Sequence, residues 1–228
     1  RMEVIRDSAV LRKWIDAFHL QDYVSKDLLK IAEVHIYSSG EYIAKEGTHT
    51  PYFYFLVHGD SISYSYTCTG RIHCESYMSG FGILGQAAAL WEQPAFNDVL
   101  ALTECTCIAL RMELCRKQLL EDVKFLRFVT YWMAQHVREN AFRHNPLEVR
   151  TAKFILQVAQ GDIFRFNLSQ CADILETSYR HLLRVIKQMC TVGLLERKGN
   201  GYRILNREEL TRLSQGQIHL AGEEKEDS

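Results

Sequence analysis

The sequence predicts an α+β chain built in three successive blocks: a β-rich N-terminal domain, a long helix, and a C-terminal helical pair followed by a hairpin. Three observations lead there. Aromatic and β-branched runs of strand length, punctuated by glycine, fill residues 37–111. No glycine or proline interrupts residues 114–144. From Asn167 onward come two short apolar-periodic segments with a turn between them, and then a Gly-Asn-Gly tip. The implied boundaries are 1–113 for the β-domain, 114–145 for the helix and hinge, 146–216 for the C-terminal domain and 217–228 for an acidic tail.

Bulk properties narrow the classes. Of the 228 residues, 47% are hydrophobic and 24% charged, enough apolar material for an ordinary globular core. No run of about 18 apolar residues occurs, so no membrane partner is expected. The opening RMEVIRDSAV lacks the apolar region of a secretory signal. The seven cysteines (68, 74, 105, 107, 115, 171 and 190) are odd in number and never spaced CxxC, which favours free thiols in a reducing compartment. The net charge of −1 hides an asymmetry. From Pro146 to Arg212 there are eleven Lys/Arg against seven Asp/Glu, whereas Leu213 to Ser228 has one Lys against four acids. A basic module beside an acidic tail points to a local anionic partner.

In the β-block, YFYFLVHG, ISYSYT, ESYMSG and VLALTECTCIAL read as strands, and glycines 40, 47, 59, 70, 80, 82 and 85 as their turns. Thr69-Gly70 reads as a hairpin tip. Many short strands of this kind predict an antiparallel sandwich or small barrel. Cys105 and Cys107 fall two apart on one strand and so share a face. They read as small core residues, with a redox role as the alternative. Cys68 and Cys74 flank the Thr69-Gly70 tip and read the same way.

The helix that follows repeats Leu126, Val129, Met133, His136 and Asn140 at 3-4-3-4 spacing, the period of a seam against a second copy. Polar His136 and Asn140 on such a seam would fix its register. Phe125, Phe128 and Trp132 lie on an adjacent face, suited to packing on the β-domain. Asn145-Pro146 then starts a new helix, Asn as cap and Pro as first helical residue. Val149, Phe154, Ile155 and Val158 form its apolar stripe, which Gly161 ends.

Ser169 is expected to cap a short helix running through Leu175, and Thr177-Ser178 to make the turn and cap of a second. Cys171, Ala172 and Leu175 would face inward from the first; Leu182, Val185, Ile186 and Met189 from the second. That is the helix-turn-helix layout, whose second helix enters the major groove of double-stranded DNA. Its outward residues are Tyr179, Arg180, His181, Arg184 and Lys187. An Arg fork can bond guanine O6 and N7 together, while Lys187, Ser178 and the helix N-terminus suit backbone phosphates; Ser169 is counted with the DNA-binding set. LLERKGNGYRIL reads as a hairpin wing with Arg197, Lys198 and Arg203 around it, each able to neutralise a phosphate. Glu176 stands at the turn position where positive φ favours glycine.

Taken together, GEYIAKEG…YFYFLVHG, GFGILGQAAAL and CADILETSYRHLLRVIKQMCTVGLLERKGNGYRI resemble the Crp/Fnr family of bacterial transcription regulators over about Tyr37 to Asn206. SYRHLL, GLL and GY-I-NR are most similar to its YeiL-like branch. The resemblance implies an N-terminal double-stranded β-helix (a jelly-roll, cyclic-nucleotide-binding-like) as sensor, a long dimerisation helix and a C-terminal winged helix-turn-helix. It also implies a cytoplasmic homodimer on a palindromic operator, with RNA polymerase as a candidate partner and an unknown small-molecule effector; activator, as most of the family would suggest, and repressor both stay open. In cyclic-nucleotide-binding members a Gly-Glu-Leu and a later Arg-Ser-Ala hold ribose and phosphate. Here Gly85-Gln86-Ala87 and Asn97-Asp98-Val99 stand at those places. The arginine is missing and Asp98 would add like charge, so cAMP is not expected to bind. No cysteine precedes Cys68, which leaves the iron–sulfur type unsupported, and a lone His73 is more often structural than a haem ligand. No metal site is expected and the cofactor is unknown. Paired carboxylates, a nucleophile elbow and a phosphate loop are all missing, so no enzyme is expected. The alternative reading is a ligand-binding module whose winged helix docks onto protein.

Overall fold

The computed structural model describes residues 2–66, 72–141 and 145–220. Thr69-Gly70, Cys68, the Asn140 side chain and tail residues 221–228 lie outside the described residues. The chain forms two compact units, Arg1–Asn140 and Ala141–Ser228.

The first unit runs β1 (Glu3–Ile5), α1 (Ser8–Ala17), β2 (Ala32–Tyr37), β3 (Tyr42–Ala44), β4 (Tyr52–His58), β5 (Asp60–Tyr66), β6 (Ile72–Ser79), β7 (Gly82–Leu84), α2 (Ala88–Trp91), β8 (Asp98–Ala101), β9 (Cys105–Arg111), α3 (Met112–Glu121) and α4 (Val123–Ala141). Its strands make two antiparallel sheets, ordered β1-β2-β9-β4-β7 and β3-β8-β5-β6, the double-sheet layout of a jelly roll. The first sheet is buried on both faces. Phe53, Phe55, Val57, Ile108 and Leu110 join a core with α1 and α4, while Tyr54, Leu56, Cys105, Cys107 and Ala109 form a second core between the sheets. Burial on both faces is why YFYFLV and CTCIAL read as unbroken apolar runs rather than alternation.

α4 lies on the outer face of this sheet. Phe125 is 0% exposed and meets Phe53 at 5.1 Å; Phe128 meets Phe55 at 5.8 Å, and Trp132 meets Phe81 at 5.5 Å. Phe125, fully buried, contributes roughly 1.5–3 kcal/mol by leaving water, and the half-buried Phe128 and Trp132 less. The single helix expected over 114–144 is in fact two. Asp122 breaks it with an extended backbone (φ −84, ψ 103). Its carboxylate accepts from the Lys124 N–H at 3.0 Å and from the Ser25 N–H and hydroxyl at 2.6 and 2.9 Å. Burial alone would raise the Asp122 pKa, but the Ser25 bonds outweigh it and hold the group ionised. The partner Ser25 is 97 residues away, so helical periodicity gave no sign of the break.

The second unit runs α5 (Leu147–Val158), β10 (Ile163–Phe164), α6 (Leu168–Ile174), α7 (Tyr179–Thr191), β11 (Leu195–Lys198), β12 (Gly201–Ile204) and α8 (Arg207–Ser214). Two caps differ from expectation by one or two residues. Pro146, rather than Asn145, is the N-cap of α5. Asn167, rather than Ser169, caps α6: its carboxamide oxygen accepts from the N–H of Ser169 at 2.9 Å and of Gln170 at 3.2 Å. Asn and Ser cap about equally well, so residue type alone could not rank them. The wing has three strands, β10-β12-β11, not two. Gly201 is required where β12 passes β10, because a Cβ there would sit 2.5 Å from the Phe164 carbonyl oxygen. Among the described residues no helix is long and apolar enough to cross a membrane.

Candidate functional site

Two places carry unspent chemistry, one in each unit. In the second unit, α6 ends in a left-handed turn. The N–H groups of Thr177 and Glu176 bond back to the carbonyls of Ala172 (2.9 Å) and Asp173 (3.0 Å), with Glu176 at φ 50. This is the Schellman arrangement with a non-glycine residue at its left-handed position. Ser178 then caps α7, its hydroxyl accepting from the His181 N–H at 3.1 Å. Leu182, Val185, Ile186 and Met189 are buried beneath α7 against Cys171, Ala172 and Leu175. With that side fixed, helical spacing leaves Tyr179 (49% exposed), Arg180, His181, Arg184 and Lys187 outside.

Ser169, Ser178, Arg197, Lys198 and Arg203 are exposed as well. Among the described residues none of Arg180, Arg184, Lys187, Arg197, Lys198 and Arg203 is in an ion pair. Burial pushes the Tyr202 phenol up, Arg197 opposes it, and Cys190 and Tyr179 add to it, so the root of the wing lies beside α7. The result is a cationic surface on a rigid apolar base.

In the first unit a cavity of about 110 Å³ opens inside the jelly roll. Gly85, Gln86, Ala87 and Asn97 are on its wall, with Ser63, Ser76, Glu75, Trp132 and His136. Gly85 (φ +86) passes so near β4 that a Cβ would stand 2.9 Å from the Tyr52 carbonyl oxygen. The Asn97 amide donates to the Ser63 hydroxyl. Asp98, expected beside these groups, is off the wall: its carboxylate accepts from the Glu46 N–H at 2.8 Å instead of lining the cavity. Among the described residues the lining has no Lys or Arg.

Behind the cavity lies a polar cluster that sequence reading missed. His35 is fully buried and its Nε2 bonds the Glu33 carboxylate at 2.9 Å, leaving Nδ1 without a partner. Burial drives the His35 pKa down, with Glu33 opposing. Burial would raise Glu33, but His35 and the Tyr52 hydroxyl prevail and hold it low. The Tyr37 and Tyr54 hydroxyls bond each other at 2.9 Å. A histidine inside an aromatic strand gives no sequence signal of its partner two residues away.

α4 corrects the expected seam. Val129 is only 6% exposed, packed in the unit's own core, and His136 turns to the cavity. The open stripe is Val123 (60% exposed), Thr130, Met133 (50%) and Val137 (68%), with Leu126 half-buried beside it. The period is the one the sequence showed; the phase differs, because Phe125 and Val129 are claimed by the sheet.

Cys105 is pushed up to about 12 and Cys107 well above its ordinary value, both by burial, so both are neutral core thiols. Among the described residues no three His, Cys, Asp or Glu side chains gather where they could hold a metal ion.

Each unit matches a known domain family. Residues 34–122 match the cyclic nucleotide-binding domain family, and residues 149–213 the Crp-like helix-turn-helix domain family. The regulatory protein YeiL of Escherichia coli O157:H7 is 32% identical over 179 residues, 76% of this chain and 82% of that protein. Among solved structures, FixK2 from Bradyrhizobium japonicum is similar in fold at a TM-score of 0.69 and 20% identity, covering 80% of this chain and 97% of its own. A CRP-family transcriptional regulator from Thermus thermophilus gives 0.66 at 17% identity, covering 82% and 98%.

Proposed function

The chain belongs to the Crp/Fnr family of DNA-binding transcription regulators, in its YeiL-like branch, and from that premise we propose how its two sites divide the work. Two copies pair along the open stripe of α4, Val123, Thr130, Met133 and Val137. Each pair presents two copies of α7 to successive major grooves of a palindromic operator. Arg180 and Arg184 read base edges; Ser178, Lys187, Arg197, Lys198 and Arg203 hold phosphates. The observation that carries this is α7 itself, anchored by four buried apolar side chains and lined outside by cations with no partner ion among the described residues. With the chromosome as its target, the place of action is the cytoplasm, and RNA polymerase is the partner met at a promoter.

The jelly-roll cavity is the effector site, and its effector is not cAMP. A cavity of about 110 Å³ is smaller than the ~150 Å³ hole that takes up benzene, and among the described residues a cyclic phosphate would find no Lys or Arg on its wall. Trp132 and His136 bring α4 to the cavity, one helical face from the pairing stripe. An occupant that favours one setting of α4 thereby biases the spacing of the reading helices.

Selection of duplexes from a random pool by the purified protein tests the reading. A two-fold-symmetric site, bound with affinity that falls steeply as salt rises, is expected. Retention of no duplex at low salt would leave protein docking as the better account of the winged helix.

A further inference from the structure

On α5 the Arg150 guanidinium spans two backbone carbonyls. Its Nε donates to Asn145 at 3.0 Å, and its Nη1 donates to Leu175. Asn145 is the first residue described after 142–144, where the chain leads into α5. Leu175 is the C-cap of α6, directly before the left-handed Glu176 that sets the direction of α7.

The carbonyls at the end of a helix have no partner inside it. Here Cys171, Ala172 and Asp173 accept from the N–H groups of Leu175, Thr177 and Glu176. The Leu175 carbonyl is met by a side chain from another helix instead. A cation at that end also complements the helix dipole. A guanidinium holds its donors in one plane at fixed angles, so the two carbonyls cannot move independently while both bonds stand.

We propose that Arg150 is a positioning residue that ties the leading segment at Asn145 to the turn aiming α7. A displacement of the chain at 145 then reaches the turn through one rigid fork, without repacking the apolar core between α5 and α7. The proposal rests on α7 being the DNA reader, and Arg150 itself touches no DNA in it.

Arg150→Met and Arg150→Lys in the full chain test it by two readouts, one made without DNA. By hydrogen exchange, the Leu175 and Thr177 amides of Arg150→Met are expected to exchange about tenfold faster, while Ile186 and Met189 keep their protection. The ratio of selected-site to random-duplex affinity is expected to fall about tenfold, with the salt slope unchanged. Arg150→Lys, able to make one of the two bonds, should fall between. Should Arg150→Met not fold, the Lys variant is judged on the same readouts. Unchanged exchange at Leu175 and Thr177 would overturn the proposal. So would faster exchange with an unchanged affinity ratio, which would make the contact structural only, or a salt slope shallower by about 0.9, which would make Arg150 a phosphate contact. Failure of the unsubstituted protein to prefer any duplex would count against the DNA reading, and the exchange result would still decide whether Arg150 holds the turn.

Discussion

The interior of the jelly roll and the outer face of α7 treat polar groups in opposite ways. Inside, polar side chains answer one another: Glu33 with His35, Tyr37 with Tyr54, Asn97 with Ser63. On α7 the cations Arg180, Arg184 and Lys187 stand in solvent above Leu182, Val185, Ile186 and Met189. A polar group buried without a partner loses roughly 1–3 kcal/mol, so the interior pairs its polar groups within the chain wherever it can, His35 Nδ1 being an exception among the described residues. An exposed cation is under no such demand and can be completed by an outside anion. The first region therefore governs stability and the second governs binding, and substitutions should separate along that line.

Phe125→Ala should have the largest effect, about 3–5 kcal/mol of stability, since a fully buried ring leaves a cavity against Phe53. Denaturant unfolding followed by tryptophan fluorescence reads it, all three tryptophans being in the first unit at 14, 91 and 132. Arg184→Ala should reverse the pattern. It should lose about 1–3 kcal/mol of operator binding, with random duplex far less affected and the unfolding midpoint unmoved. Equal loss on all sequences would reassign Arg184 to phosphate. Ser178→Ala touches both regions' roles at once and should remove about 1 kcal/mol of stability through the lost cap on the His181 N–H. Lys198→Ala should weaken all duplexes alike and make the salt slope shallower by about 0.9.

The gentlest test is pH. Burial keeps His35 neutral below the range where an unfolded histidine titrates, near 6.5. As pH falls past about 6.5 the unfolded chain takes up a proton that the native chain refuses, so stability should decline until the lower native value is reached. Glu33 acts in a more acid window: its depressed native pKa supports the fold above the ordinary carboxylate range, and that support is lost as pH falls through the native value. His35→Gln should flatten the decline between about pH 7 and 5 and, by removing the imidazole that holds Glu33 low, should also weaken the more acid one. An unaltered slope would place the titration elsewhere.

The same contrast explains what was legible in the sequence. α7 was readable almost residue by residue, because its signals are local: a cap three residues from the N–H that donates to it, apolar positions at helical spacing, cations between them. The hairpin at Gly199-Asn200 was local too. What needed distant partners was not readable. The break at Asp122 depends on Ser25, and the loss of Val129 from the pairing stripe depends on a sheet far away in sequence. Asp98 looked like a charge in the cavity until Glu46 claimed it. β1 and β2 carry no turn strong enough to single them out, whereas α1 has a legible cap in Asp7, whose carboxylate accepts from the Ala9 N–H at 2.7 Å; Glu33 and His35 lie in β2.

The central claim, that α7 reads duplex DNA as one of a two-fold pair, is tested most directly by hydroxyl-radical footprinting on the selected operator. The account predicts two protected half-sites about 10–10.5 base pairs apart, centre to centre, and Arg184→Ala removing the preference for that operator over random duplex. A single unsymmetric footprint, or one that Arg184→Ala leaves intact with full preference, would contradict it.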